Sequence, residues 1–272
     1  MTRDRSTAAP TEREPTGKFG HGISAVIIPV VSLAVFLSTW EAIIHFGRIE
    51  PFIFPAPSKV AVALWSDLTN PDYWQALSIT LTEILVGFAA GASLGIGLGT
   101  LLALSRIMDR ILYPYVVAFQ SIPKVAIAPL MIVWFGFGIE SKILIVALTA
   151  MFPVLVNTIT GLRSTDGDRL DLLHGLCASR LQTLRYVQFP HAMPYIFAGL
   201  NTAIVFAVIG AIVGEFVGAR RGLGVVILKA NFALDLAAVF SSLVVLAVIG
   251  VCLNAAVRAV EHRVCFWSGK KG

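Results

Sequence analysis

An all-α membrane protein with six spanning helices is the fold class this sequence predicts, and three observations carry it. Hydrophobic residues make up 57% of the 272, mean hydropathy is +0.82, and only 14% of residues are charged. A soluble domain of this size would carry about a quarter charged residues. Six stretches meet the roughly 20 apolar residues that a helix needs to cross the hydrocarbon core. Almost all of the basic residues fall between those stretches, so the net charge of +5 is a loop property and no nucleic-acid signal.

Residues 1–22 are polar, with Pro10, Pro15 and mixed charges, and they lack the small-residue cleavage site of a signal peptide. They read as a disordered cytoplasmic tail. The first span is expected over Ile23–Phe46. In the following loop, Gly47–Ala76, Pro51, Pro55 and Pro57 impose an extended entry, after which Ser58 caps a short helix over Val60–Leu68. Trp65, Tyr73 and Trp74 suit the membrane interface. The second span, Leu77–Leu104, carries Gly87, Gly91, Gly95 and Gly99 at strict four-residue spacing. Glycine weakens a helix, and its compensation in a membrane is close backbone approach, so this row predicts a helix-packing face. The third span, Ile111–Phe135, is interrupted by Pro114, Pro123, Lys124 and Pro129 and is expected to be kinked or broken. Ile143–Leu162, Tyr195–Val217 and Val239–Val257 complete the six, the fifth repeating small residues at Gly199, Ala203, Ala207, Gly210, Gly214 and Gly218. The spanning domain thus runs over residues 23–260, and 261–272 form a C-terminal cytoplasmic tail.

Counting Lys and Arg orients the chain. With the N-terminus inside, fourteen basic residues face the cytoplasm and six (Arg48, Lys59, Lys142, Arg220, Arg221 and Lys229) face the other side. Both termini and the polar stretch 163–194 are then cytoplasmic.

That stretch, between Arg163 and Pro194, holds four arginines (Arg163, Arg169, Arg180, Arg185) and three aspartates (Asp166, Asp168, Asp171). Leu170, Leu172, Leu173, Leu176, Leu181 and Leu184 recur at helical spacing, which predicts an amphipathic helix over Leu170–Thr183. Asp168 is expected to cap its start, and Pro190 and Pro194 to stop the run. One apolar stripe lodged between spans must rest on lipid, on the protein's own helix ends, or on another protein.

Asp171-Leu172-Leu173, then Gly175, Cys177, Ala178-Ser179-Arg180 and Val187-Gln188-Phe189-Pro190, resemble the EAA loop of ABC-transporter permeases. Asp171 stands at the Glu position of that pattern, Leu172 and Leu173 at its two alanines, and Cys177 at its glycine. Gln120-Ser121-Ile122-Pro123-Lys124-Val125-Ala126, Trp134-Phe135-Gly136-Phe137-Gly138, Gly214-Glu215-Phe216 and Arg221-Gly222-Leu223-Gly224 look like one branch of these permeases. That branch imports nitrate, taurine, aliphatic sulfonates, bicarbonate or thiamine-precursor pyrimidines. The resemblance implies a type I importer permease fold used as a pair, a homodimer, in the lipid bilayer. It also implies two cytoplasmic ATPase subunits and an extracytoplasmic solute-binding protein. The loop would be the coupling helix that docks on the ATPase, with Asp171, Leu172, Leu173, Gly175, Cys177, Ala178, Ser179, Arg180 and Pro190 as its residues. ATP and Mg would belong to the partner ATPase, and this chain would bind no cofactor.

Lys124 falls mid-span, where an unpaired charge costs roughly 2.5–3.5 kcal/mol on insertion scales. It is read first as a structural cation that pairs with a carboxylate or caps carbonyls freed near Pro123 and Pro129, and second as a ligand for an anionic solute. Glu83, Glu215 and Glu41 are its candidate partners, while Gln120, Asn157 and Asn201 are candidates for cavity lining or interhelical hydrogen bonds.

The five histidines are scattered, no H-E-x-x-H or phosphate-binding G-x-x-x-x-G-K-[ST] occurs, and no G-x-S-x-G stands at a strand-to-helix turn, so the chain carries no enzymatic constellation and is not itself an ATPase. Three cysteines without paired spacing give no disulfide framework and no zinc site. A secondary transporter driven by an ion gradient is the alternative, but the inverted repeat it would usually show is not evident.

Overall fold

The computed structural model describes residues 21–47, 50 and 53–267. Most of the expected N-terminal tail and residues 268–272 of the C-terminal one lie outside the described residues, as do Arg48 and Pro51. All regular structure among the described residues is helical. The first unit is a single long apolar helix, α1 (His21–Gly47), with Pro29 inside it.

The second unit, from Glu50 onward, begins with α2 (Pro57–Thr69) and α3 (Pro71–Leu104). Proline starts α2, so Pro57 and not Ser58 marks the entry, and Ala56 is its N-cap. The second span also begins earlier than its apolar run. Asn70 caps α3 by accepting the Asp72 N–H at 2.9 Å, and the first turn of α3 is polar. The third span is broken: α4 (Arg106–Ser121) and α5 (Lys124–Phe135) meet at 105° around Ile122-Pro123. A residue ahead of proline avoids the helical region, and Pro123 itself offers no N–H to continue α4. Then come α6 (Ile139–Arg163), α7 (Gly167–Gly175), α8 (Arg180–Thr183), α9 (Phe189–Gly218), α10 (Leu223–Phe232) and α11 (Leu236–Val264). Helix α11 therefore runs four residues past the expected end of the spanning domain at 260.

Among the described residues five helices are long and apolar enough to cross a membrane, and the bent α4–α5 pair, taken as one span, makes six. Packing supports the sixth crossing. A Cβ placed on Gly87 would meet Val146, on Gly91 Ala147, on Gly95 Met151 and Val154, and on Gly99 Thr158. Numbers rise together along both helices, so α3 and α6 run parallel. The chain must return across the membrane between them, and α4–α5 makes that return.

Helix α6 is the centre of the fold. One side of it accepts the glycine row of α3, and α9 approaches from another. Gly214 faces Lys142 and Ile145, Gly210 faces Val146 and Thr149, Gly199 faces Pro153 and Asn157, and Gly161 of α6 meets Ala192 and Tyr195. Here the numbers run in opposite senses, so α9 is antiparallel to α6. Residues as large as Ile84, Val146, Val154 and Ile204 are at most 1% exposed in the shared core. Glycine brings the three backbones close enough for these side chains to interdigitate, which is how helices bind one another where lipid removes the hydrophobic driving force. Helix α11 joins α9 by side-chain bonds: Asn201 donates to Glu261 Oε2 at 2.9 Å and accepts from Asn254 through its backbone carbonyl at 3.2 Å.

Candidate functional site

The expected helix Leu170–Thr183 is two helices. Asp166, not Asp168, is the N-cap of α7, its Oδ1 accepting the Asp168 N–H at 3.2 Å. At the other end Cys177 N–H bonds to His174 O and Ala178 N–H to Leu173 O, both at 3.0 Å. This crossed pair is a Schellman closure, whose C′ residue takes the left-handed conformation. Cys177 takes it, with φ 55°. Leucine periodicity runs through this point without a gap, which is why the break escapes a reading of spacing alone. The turn then hands over to Ser179, which caps α8 in a capping box with Gln182 (Ser179 N–H to Gln182 Oε1 at 2.7 Å, Gln182 N–H to Ser179 Oγ at 3.3 Å).

The prolines do not stop the run. From α8 the chain passes through a π-helical turn, Leu184–Gln188, straight into α9, with Pro190 in the first turn of that helix and Pro194 inside it. Proline lacks the N–H that an α-helix would use, and the wider π turn absorbs the mismatch. The short polar helix α8 is thereby continuous with the fifth span.

Asp171, Leu172, Gly175, Cys177, Ser179 and Arg180 are exposed, while Leu173, Ala178 and Pro190 are half-buried. Leu172, Leu176 and Leu181 are 65%, 69% and 71% exposed on this otherwise polar element. A Cβ on Gly175 would meet nothing within 4 Å, so the middle of the element is open as well. Behind it the element is anchored. His191 Nε2 lies 3.3 Å from Ser164 Oγ and 3.2 Å from Ser164 O, joining the two ends of the stretch. Arg163 pairs with Asp109 at 2.7 Å and also donates to Leu102 O, tying α6 to α4 and α3.

At the opposite end of the core lies a second polar group. Glu83 (α3), Lys142 (α6) and Glu215 (α9) are each no more than 2% exposed. Lys142 is therefore not an outer-loop cation, as the charge count took it to be. Its Nζ donates to Phe137 O, Gly138 O and Gly218 O at 2.7, 2.9 and 3.1 Å. Glu215 receives the Thr80 hydroxyl at 2.6 Å and the Gly224 N–H, with a further bond from the Val225 N–H. Thr80 Oγ1 accepts the Leu223 N–H at 2.8 Å. The first three N–H groups of α10 are thus all capped by residues of α3 and α9, because Gly222, its N-cap, has no side chain to do it. Gly222 has φ 133°, and a Cβ there would collide with the Glu215 carboxyl, as would one on Gly224. The Arg221-Gly222-Leu223-Gly224 sequence is the backbone shape that lets a carboxylate sit at a helix start.

Lys124 takes no part in this group. Its Nζ donates to Gln120 O at 2.9 Å, across the α4–α5 bend, and stands 5.0 Å over the Phe152 ring of α6. Glu83 and Glu215 are not its partners; a freed carbonyl and an aromatic face are. Gln120 is exposed, Asn157 bonds Pro153 O of its own helix at 2.8 Å beneath Gly199, and Asn201 joins α9 to α11. What reading the sequence missed is Lys142. It lies only four residues into α6, beside Phe137 and Gly138, where a loop cation and a buried one look alike.

The sequence pattern of the family described as "binding-protein-dependent transport system inner membrane component" matches residues 91–265. The riboflavin transport system permease protein RibX of Chloroflexus aurantiacus is 37% identical over 87% of this chain and 88% of its own. The formylaminopyrimidine transport permease protein ThiX of Halalkalibacterium halodurans is 33% identical over 82% and 88%. The taurine transport system permease protein TauC of Escherichia coli is 31% identical over 90% and 91%. A membrane chain of the MetNI methionine ABC transporter, solved facing inward, shares the fold with a TM-score of 0.62 at 21% identity, over 70% of this chain and 94% of that one.

Proposed function

The chain belongs to the binding-protein-dependent transport system inner membrane components, and from that premise we propose that the stretch 163–194 is where a cytoplasmic ATPase grips it. The protein is the membrane permease subunit of an ABC-type importer, a multi-pass protein of a prokaryotic inner membrane, handling a small polar or anionic solute delivered by a binding protein. The observation that carries the ATPase reading is the exposure of Leu172, Leu176 and Leu181 on a rigidly capped element joined to α9 without a break. Each leucine leaves roughly 1.5–3 kcal/mol of hydrophobic stabilisation unused while it stays in water, and a groove in a partner would recover it. Because α8 continues into the fifth span, a displacement at the groove is carried as a rigid lever toward Lys142 and Glu215. A second copy of this chain completes the permease pair.

The relatives' solutes, riboflavin, a formylaminopyrimidine and taurine, are all small, polar and N–H-bearing, and the solute of this chain is assigned to the same class. The test is reconstitution of the complex with its ATPase and binding protein. Asp171→Lys and Gly175→Trp should leave the permease folded but detach the ATPase and lower solute-stimulated ATP hydrolysis at least tenfold. Wild-type co-purification and coupling in both variants would return the stretch to an interfacial loop.

A further inference from the structure

Helices α9 and α11 are joined toward both ends and part between. At the cytoplasmic end Asn201 donates to Glu261 Oε2 and accepts from Asn254. Further out, Leu246 and Ile249 of α11 pack in one cluster with Val208 and Ile212 of α9. Between these joints runs an apolar groove of ≈ 720 Å³, lined by Val205, Val208 and Ile209 of α9 and by Leu246, Gly250 and Val251 of α11. A Cβ on Gly250 would meet nothing within 4 Å, so the groove is left open at that point. Its lining forgoes the dispersion contacts that a close-packed interior would supply.

The position of the groove in the bilayer can be read from charge. Residues 236–257 carry none, and at 1.5 Å per residue they span about 33 Å. The hydrocarbon core is about 30 Å thick, so Asp235 and Arg258 mark its two surfaces and Leu246 its midplane. The groove closes at Leu246 and opens beside Asn254 and Arg258, about 18 Å further along α11, which is the depth of one leaflet. The basic residues that place the C-terminus inside make this the cytoplasmic leaflet. Arg258 is exposed and has no carboxylate partner among the described residues. Glu261, the acid one turn further on, is committed to Asn201. A free cation thus stands at the mouth of an apolar trough one leaflet deep.

We propose that the groove between α9 and α11 holds an acyl chain of an anionic phospholipid from the cytoplasmic leaflet, with the lipid phosphate paired to Arg258. The acyl chain fills the space beside Gly250 and restores the missing contacts. The guanidinium matches phosphate oxygens with paired N–H groups and selects the headgroup by charge. Asn254 is excluded as the headgroup donor through the N–H that it gives to the Asn201 carbonyl, so Arg258 carries the selectivity. The lipid bridges the two helices where they part, and its loss should loosen α11 against α9.

The test uses the assembled complex, stripped of lipid by detergent exchange and then given equal amounts of dioleoyl-phosphatidylglycerol and dioleoyl-phosphatidylcholine. The two lipids share their chains and differ in headgroup charge, and native mass spectrometry counts what is retained. The wild type should keep phosphatidylglycerol over phosphatidylcholine by at least tenfold. Arg258→Gln should abolish that preference, holding both lipids weakly and alike. Gly250→Leu puts a side chain into the open groove and should lose both lipids. Phosphatidylglycerol should also raise the melting temperature of the wild type by several degrees and that of Gly250→Leu by none. Should Gly250→Leu extract poorly, Ala247→Leu obstructs the same groove. Equal retention of the two lipids by the wild type overturns the headgroup assignment, and retention unchanged in both variants overturns the site. If Gly250→Leu instead splits the permease pair into single copies, the groove seats a second copy of this chain and the lipid proposal fails.

Discussion

The two ends of the α3–α6–α9 core are built in opposite ways. At the outer end the buried polar groups turn onto the backbone: Lys142 onto three carbonyls, Glu215 and Thr80 onto the first turn of α10. At the end that carries residues 163–194 the chain closes its bonds locally, through a Schellman turn and a capping box of Ser179 and Gln182, and Leu172, Leu176 and Leu181 are left exposed. The outer end spends side chains to hold helices together. The stretch 163–194 holds itself together with short-range caps and leaves its apolar side chains free. A structural cluster differs from a surface proposed for docking in where its satisfied groups are.

The strongest way to break this contrast is to insert the same side chain at a glycine in each region. At Gly91 a Cβ would stand 2.5 Å from the Ala147 carbonyl oxygen, so backbone must move. Gly91→Leu should destabilise the core by more than the 1–3 kcal/mol typical of overpacking, seen as loss of folded protein after detergent extraction. Gly175→Leu meets open space and should leave the melting temperature within a few degrees of wild type. Equal yields of the two variants would show that the glycine row of α3 is not a close-packed face.

A smaller effect sharpens the account of the outer end. Thr80→Val keeps the shape but removes both the acceptor for Leu223 N–H and the donor to Glu215. Two bonds in a buried place are lost, and a cost of about 2–3 kcal/mol is expected, read as a lower melting temperature and faster amide exchange in α10. Slow, unchanged exchange there would mean that α10 is held by Leu223 and Ile227 packing and not by its tertiary cap.

Much of this was legible in the sequence because membrane helices announce themselves by composition. Apolar length located the spans, glycine spacing located a candidate packing row on α3, and Pro123 with Lys124 located the break. Boundaries moved where polar residues extend a helix beyond the bilayer, as in the first turn of α3 after Asn70. The outer cluster was not legible, because Thr80, Glu83, Lys142, Glu215 and the glycines around 222 lie on four elements that only packing brings together. Lys124, the most conspicuous charge by position, donates across the bend to Gln120 O. The stretch 163–194 was legible as an amphipathic element but not as two helices, since Leu172, Leu173 and Leu176 keep helical period through the very residues that end α7.

The finest test concerns that ending. Cys177 and Leu234 both occupy the left-handed C′ position of a Schellman turn, one at each end of the core, with φ 55° and 57°. Left-handed backbone costs an ordinary residue roughly 1–2 kcal/mol, and glycine escapes it while losing about 0.5–1 kcal/mol through a freer unfolded chain. Cys177→Gly should therefore gain about 1 kcal/mol or less, confined to α7, and protect the amides of Cys177 and Ala178 up to about fivefold in hydrogen exchange. Cys177→Val should do the reverse, because a branched Cβ is least tolerant of positive φ. Leu234→Gly provides the same measurement at the other end, after α10. If both glycine variants gain equally, the turn geometry alone sets the effect. If Cys177→Gly loosens ATPase coupling while tightening the turn, the strain at Cys177 serves the docking surface, and the two ends differ in purpose even where their backbones are the same.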